Sequence, residues 1–352
     1  MEIQNVFKLD WEKQGYLIID VRSPREYAED HIIGSINLPV LYDEEYEKIG
    51  KIYKFESGFE AKKIGAQWVM KNISRHLKEV LYKYEKNKKL IFYCKRGGNR
   101  SLSFSLVCSK IGWNCNVIDG GYKMYRRFII EYLTQFSQSS KFFVIAGKTG
   151  NGKTKILNLL DKKGLQTIDF EGLACHRGSI LGKLVGQLQP PQKLFESKIF
   201  EEIKTFNEDK CVFVESESAK IGRLIIPNSI FSYTYKSQLI KVNNEIDFRV
   251  GFLIDEYQNL IEDHKPFFKL IEILKSRISG EKIIEIEKAV SEKNFPLLAR
   301  YLLNFHYDRA YDMSMSKRKG EVVKEFNLSC NVESAVEHIC DSIISNKKFY
   351  KF

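Results

Sequence analysis

The eight residues Gly147-Lys148-Thr149-Gly150-Asn151-Gly152-Lys153-Thr154 constrain this chain more than any other stretch. They fit G-x-x-x-x-G-K-[ST], preceded by the apolar run Phe142-Phe143-Val144-Ile145 and followed by Ile156, Leu157, Leu159 and Leu160 at helical spacing. Strand, glycine loop and helix in that order are the context a phosphate-binding loop needs. Gly147, Gly150 and Gly152 let backbone N–H groups wrap phosphate oxygens, with Thr149 and Asn151 between them. Lys153 neutralises charge, and Thr154 is placed to hold Mg²⁺. The bound group is open among a nucleoside triphosphate, a diphosphate ester and an acceptor phosphate. Glu215 ends a second apolar run, Cys211-Val212-Phe213-Val214, where it suits either a carboxylate reaching the metal through water or a solvated strand end.

The first half carries a different anion loop, Cys94-Lys95-Arg96-Gly97-Gly98-Asn99-Arg100-Ser101, directly after the β-rich run Lys89–Tyr93. Backbone N–H groups in such a loop point inward, and the N-terminus of a helix beginning near Ser101 adds partial positive charge. Lys95, Arg96 and Arg100 add formal charge. Together they should lower the Cys94 thiol pKa and favour the thiolate, the nucleophilic form. Gly97 and Gly98 leave room for an anion against the backbone. The other cysteines, 108, 115, 175, 211, 330 and 340, read as structural thiols.

A length of 352 residues suits two domains. Short apolar runs alternating with helical patterns indicate α/β domains with parallel sheets: residues 1–133, a polar serine-rich linker over 134–140, and a second domain over 141–352. From about 247 to 311 the pattern becomes mostly helical, and Phe326–Leu328 with Val332–Ile344 reads as a closing strand and helix. Lysine and arginine number 56 against 45 acidic residues, a net charge of +11 that favours a polyanionic partner. The lysine-rich region 265–319, with Tyr301, Tyr307 and Tyr311, offers candidate stacking rings. No run approaches the roughly 18 apolar residues a membrane span needs, and no apolar leader is visible. The seven cysteines show no C-x-x-C spacing. Widely spread free thiols point to a reducing cytoplasm.

Several segments together carry a family resemblance. Asp20-Val21-Arg22-Ser23-Pro24-Arg25-Glu26-Tyr27, His31-Ile32-Ile33-Gly34-Ser35-Ile36-Asn37-Leu38-Pro39, the Cys94 loop and Asp119-Gly120-Gly121-Tyr122 resemble a rhodanese domain over about residues 5–130. Asp30 and Ile33 stand where that family often has Gly and Pro, which should alter a turn, and His31 reads as structural. The P-loop is accompanied by Asp169–Ser179, Gln189-Pro190-Pro191-Gln192, Phe195-Glu196 and Glu215–Gly222. With Arg249-Val250 through Tyr257 and Leu297–Tyr301 near Tyr307-Asp308, the chain resembles the tRNA 2-selenouridine synthase family along nearly its whole length. Ala219, Arg309 and Ala310 depart from the family's usual residues.

The resemblance implies a transferase that converts the wobble 2-thiouridine of a tRNA anticodon stem-loop to 2-selenouridine through S-geranyl-2-thiouridine. It implies geranyl diphosphate and selenophosphate as substrates, and a selenophosphate-producing enzyme as a partner. The P-loop with Arg177 would hold the diphosphate, Thr154 and Glu215 the Mg²⁺. Lys95 through Arg100 would hold selenophosphate beside Cys94, which acts as a nucleophile carrying a perselenide or as a positioning group. Two other readings compete: an ATP-dependent persulfide sulfurtransferase acting on RNA, and a non-catalytic nucleotide-gated binding protein.

Overall fold

The computed structural model describes residues 2–4, 15–179, 181–182, 186–258, 265–328 and 332–345. In chain order the first elements are β1 (Glu2–Gln4), β2 (Tyr16–Asp20), α1 (Pro24–Glu29), β3 (Ile36–Asn37), α2 (Asp43–Phe55), α3 (Gly58–Glu79), β4 (Lys89–Tyr93), α4 (Asn99–Ile111), β5 (Asn114–Ile118) and α5 (Gly121–Ser139). There follow β6 (Phe142–Ala146), α6 (Lys153–Lys162), β7 (Gln166–Ile168), α7 (Phe170–Leu173), α8 (Gln192–Ile203), β8 (Val212–Glu215), β9 (Lys220–Ile221), β10 (Leu224–Ile225), α9 (Asn228–Thr234), β11 (Gln238–Asn244) and α10 (Ile246–Glu256). The helices Lys265–Leu274, Gly280–Ser291, Phe295–Leu302 and Asp308–Met315, strand β12 (Val322–Leu328) and the helix Val332–Ser345 complete the described chain.

These elements form two compact units: residues 1–132 with 191–201, and residues 133–190 with 202–352. The first holds a parallel sheet of order β1-β5-β4-β2-β3. Its strands are near-continuous apolar runs because parallel sheets bury both faces. Ile19, Leu90, Phe92 and Val117 from the strands pack with Ile73 of α3 and with Phe104 and Cys108 of α4. The second unit holds another all-parallel sheet, β12-β11-β6-β8-β7, with β9 and β10 as a separate small hairpin. Its core joins Phe143, Ile145, Phe213, Ile240 and Val242 to Ile156, Leu157 and Leu160 of α6 and to Ile339 and Ile343. A distinct helical core, built on Phe267, Leu270, Leu274, Ile286, Leu298 and Leu302, occupies the region expected to be helical.

Two expectations need correction. Residues 134–139 are not a linker but the last turns of α5. Helical spacing won over serine content. Ile129, Leu133 and Phe136 are all buried, and Phe136 packs on Phe142 and Phe206. The serines bond back into the helix, Ser137 Oγ donating to Thr134 O at 2.8 Å and Ser139 Oγ to Gln135 O at 3.2 Å. Residues 191–201, assigned from sequence to the P-loop half, belong to the first unit. There Phe200 of α8 meets Phe128 and Tyr132 edge-on.

Asp30, one of the departures from the rhodanese pattern, is what fastens α8. Its fully buried carboxylate accepts from Ser197 Oγ at 2.7 Å and Tyr122 OH at 2.9 Å, and Arg126 lies 3.6 Å away. Burial pushes its pKa up, opposed by the Ser197 bond, the Arg126 charge and the Tyr122 bond.

The deepest polar feature of the unit is the pair at the end of β2. Arg22 donates to both oxygens of Asp20 and to the Asp30 carbonyl at 2.7 Å, and its guanidinium lies 3.9 Å from the Tyr122 ring centre. Asp20 and Arg22 are 0% and 2% exposed, so removing one strands the other's charge in hydrocarbon. Arg22→Leu is expected to lower stability by about 3–5 kcal/mol, measured by urea unfolding of the full chain followed by fluorescence.

Candidate active sites in the two units

In the first unit the chain leaves β4 at Cys94 and enters α4 at Asn99. The intervening loop is clamped from one side. Tyr122 N–H donates to Cys94 O at 2.9 Å and Lys123 N–H to Lys95 O at 3.0 Å. Gly121 makes this approach possible. It sits at φ +52°, and a Cβ there would lie 2.2 Å from Cys94 O.

Cys94 Sγ accepts from Gly98 N–H at 3.2 Å and from Ser101 Oγ at 3.3 Å. Burial pushes the thiol up, but the Ser101 hydroxyl, the backbone N–H groups of Arg96 and Ser101 and the Arg100 charge outweigh it, leaving the pKa below its usual value. The residue is 4% exposed, and the donors around its sulfur favour the thiolate form.

The expected anion contacts divide into two groups. Lys95, Arg96, Gly97 and Gly98 lie within the loop, and Asn99 opens α4. Arg100 is already engaged, bonding to Glu26 at 2.6 Å and lying over the Tyr46 ring. Burial works against the Glu26 carboxylate, yet Arg100 holds it below its usual range. Arg100 thus lends the loop a field more than a free hand. His31 is structural, stacked on Tyr27 at 3.9 Å with Nδ1 2.9 Å from Tyr27 O. Of the other cysteines, 108, 115, 211 and 340 are buried, Cys175 is half-buried, and Cys330 lies outside the described residues.

In the second unit Gly147–Gly152 joins β6 to α6. Gly150 and Gly152 take φ +86° and +71°, and a Cβ on Gly150 would meet Arg249 O at 2.9 Å. Asn151 is a buried brace, its Nδ2 donating to Val242 O at 2.7 Å. Arg249 is a second brace. It donates from Nε to Thr149 O at 2.8 Å and from its guanidinium to Asp308 at 2.9 Å, and Lys148 reaches Asp308 and Asp312 at 3.6 and 3.1 Å. Arg249 and Asp308 stand in segments that carry the family likeness, but no sequence pattern assigns either of them a role.

Near the loop lies a set of carboxyls in the field of Lys153. Glu215 is buried, with Oε1 lacking any hydrogen-bond partner. Burial first, then the Glu217 charge, push its pKa up to about 8, against the pull of Lys153 and a hydrogen bond with Thr154. Burial and the Glu217 and Glu215 charges push Glu171 to about 10. Sequence reasoning misses Glu171 and Glu217, although the Glu215-Ser216-Glu217 spacing puts two acids at one strand end. Among the described residues no group of three His, Cys, Asp or Glu side chains is arranged to hold a metal by itself. The Thr154 hydroxyl beside an unpartnered Glu215 oxygen nevertheless fits a cation that also takes phosphate oxygens.

The feature that no sequence motif announces is an apolar cavity of about 70 Å³ that starts at the P-loop. Thr149 and Ser179 stand among Leu181, Leu253, Ile254, Tyr257, Phe267, Phe295, Leu298, Ala299, Leu302 and Tyr307. Arg177 stands close to this wall. It donates to Glu256 O at 2.6 Å, faces the Glu256 carboxylate at 3.7 Å and lies over the Tyr257 ring. The expected stacking tyrosines are placed otherwise. Tyr301 stacks on Phe305 against the helical core, Tyr307 lines the cavity, and the Tyr311 hydroxyl is buried without a partner. Among the described residues no helix is long and apolar enough to cross a membrane.

Comparison with known proteins matches one family model to each half of the chain. The family model of the tRNA 2-selenouridine synthase AAA domain matches residues 140–339, and that of the rhodanese-like domain matches residues 5–127. The curated protein named tRNA 2-selenouridine synthase of Psychromonas ingrahamii is 33% identical over 70% of this chain and 66% of its own length. Its namesake from Nitrosomonas europaea is 33% identical over 68% and 63%. In both pairings this chain spans just under two thirds of the relative. The protein of the same name from Shewanella sp. (strain ANA-3) is 26% identical over 88% of this chain and 91% of that one. With a rhodanese-type cysteine loop in one unit, a braced P-loop in the other and a family match over more than half its length, this chain belongs to the tRNA 2-selenouridine synthase family.

Proposed function

We propose that this chain is a transferase that geranylates the wobble 2-thiouridine of a tRNA anticodon stem-loop and then exchanges sulfur for selenium. One observation carries the reading: the phosphate loop opens, at Thr149, onto hydrocarbon. A nucleoside would need hydrogen-bonding partners for its base and ribose there, whereas an isoprenyl diphosphate needs a polar cradle joined to an apolar slot. At about 70 Å³ the slot is smaller than a ten-carbon chain, so geranyl enters only as side chains such as Phe267 and Phe295 give way.

In the first step the thiocarbonyl sulfur of the uridine attacks C1 of geranyl diphosphate, the C–O bond breaks, and pyrophosphate leaves. The P-loop N–H groups and Lys153 stabilise the charge collecting on that leaving group. Thr154 and Glu215 would hold Mg²⁺, which neutralises diphosphate charge when bound. Arg177, close to the cavity wall, is a further candidate diphosphate contact. In the second step the selenium of selenophosphate attacks C2, the C2–S bond breaks and geranyl thiol leaves, and water then cleaves the P–Se bond to release phosphate. Alkylation matters because a bare thiocarbonyl sulfur is a poor leaving group and a thiol is a better one. The Cys94 loop suits selenophosphate, with Lys95, Arg96, Asn99 and the backbone around Gly97 and Gly98 meeting its phosphate part and Arg100, held by Glu26, adding its field. Cys94 would serve as a positioning group that holds the selenium of selenophosphate toward C2.

Four outcomes are expected. Incubating the full chain with a 2-thiouridine anticodon stem-loop and geranyl diphosphate, then adding selenophosphate, should give first the S-geranyl and then the seleno nucleoside by mass spectrometry, without ATP. Cys94→Ala should stop the second product and spare the first, and an ATP requirement or loss of both products in a folded variant would overturn the scheme. Ala299→Trp should weaken geranyl diphosphate binding at least tenfold while leaving pyrophosphate binding unchanged, measured by calorimetry. Equal effects on both ligands would place the prenyl chain elsewhere. Finally, the pH profile of Cys94 alkylation should have its midpoint below that of an ordinary thiol. Ser101→Ala should shift it upward, because the lost hydrogen bond favoured the thiolate.

A further inference from the structure

The second unit contains a cleft that the prenyl chemistry does not use. It encloses about 610 Å³, and its walls carry three cations, Arg277, Arg309 and Lys317, and three rings, Tyr235, Phe305 and His306, with no acidic residue. Among the described residues these three cations have no carboxylate partner. Beside the P-loop, by contrast, Arg249 and Lys148 pair with Asp308 and Lys155 with Glu256. Unpaired cationic groups around rings form a surface that lacks its counter-charge.

The position of the cleft is set by one backbone irregularity. Residues Leu303–Tyr307 form a π-helical turn between the helices Phe295–Leu302 and Asp308–Met315. Such wide turns recur at functional sites because they re-aim consecutive side chains. Here Phe305 and His306 line the cleft, while the next residue, Tyr307, lines the apolar cavity. Asp308, one residue further, holds Arg249 against the P-loop. A molecule seated in the cleft is therefore separated from the prenyl cavity by a single turn of backbone.

We propose that this cleft receives unpaired nucleotides of the RNA substrate, bases stacking on His306 and Tyr235 beside the apolar wall of Phe305, and phosphates meeting Arg277, Arg309 and Lys317. RNA is favoured over an acidic peptide because carboxylates ask only for the cations, whereas single-stranded nucleotides use rings and cations together. The inference rests on the reading that this chain acts on tRNA and adds where the loop docks. Tyr235 and Phe305 carry further cations, Arg318 over the first ring and Lys282 over the second, which adds to the positive field around both.

The test uses the full chain and a 2-thiouridine anticodon stem-loop with 4-thiouridine at the neighbouring loop positions. On irradiation the wild-type chain should cross-link through residues 301–319, Arg277 or Tyr235, and cross-links confined to other segments would overturn the proposal. In parallel, Arg277→Ala/Arg309→Ala/Lys317→Ala should bind the RNA at least tenfold more weakly. Its log–log salt dependence should be shallower by about 2, with geranyl diphosphate affinity unchanged. Unaltered RNA affinity and slope in that variant would equally overturn it. A free-nucleotide site is the remaining outcome: uridine 5′-monophosphate displacing the RNA at comparable concentration would count against RNA docking. Should the wild-type chain bind and cross-link RNA in the cleft yet modify nothing, the chemistry proposed above fails while this docking site stands.

Discussion

Both sites depend on what a chain must do with the N–H groups between a parallel strand and the helix that follows it. These groups have no partner in the sheet and none in the helix, so they must find water, a side chain or an anion. At Cys94 one of them finds the sulfur itself, at 3.2 Å from Gly98 N, and the thiolate is favoured because donors already point at it. At Gly147–Gly152 the turn is held open instead. Asn151 ties it to β11 and Arg249 ties it to Asp308, so bonds to neighbouring elements fix the shape of the cradle.

The P-loop and the cysteine loop are legible in the sequence because each is local: strand, turn and helix follow one another within about twenty residues, and glycine positions report the turn. The apolar cavity is illegible for the opposite reason. Its walls come from Thr149, from Ser179 and Leu181, from α10 and Tyr257, and from 267–307, and only packing of the helical core brings those stretches together. Tyr307 looks like a stacking ring on composition, yet an aromatic on a half-buried helix face is equally a core residue, and the structure packs Tyr307 against the helical core, while Tyr311 keeps its hydroxyl buried. Phe305 and His306 reach the open cleft through a π-turn, a shift of register that periodicity at 3.6 residues per turn cannot show.

The serine run 134–140 follows the same logic. Serine content suggests a linker only when the apolar positions around it lack a period, and Ile129, Leu133 and Phe136 have one. Asp30 reads in the sequence as no more than an altered turn. In the structure it is a buried hub whose partners include a residue 167 positions later, Ser197. Long-range partners of this kind leave no local trace.

That hub has a consequence for how the chain matures. The first unit is not finished when residue 132 leaves the ribosome, because α8, with residues 191–201, still has to dock beside Asp30 and Arg126. Until then a carboxylate destined for the interior, and the rings of Phe128 and Tyr132, face water. Translation of the P-loop segment therefore precedes completion of the cysteine unit. A polypeptide truncated at the apparent domain boundary would lack one of its own helices and leave sticky hydrocarbon uncovered.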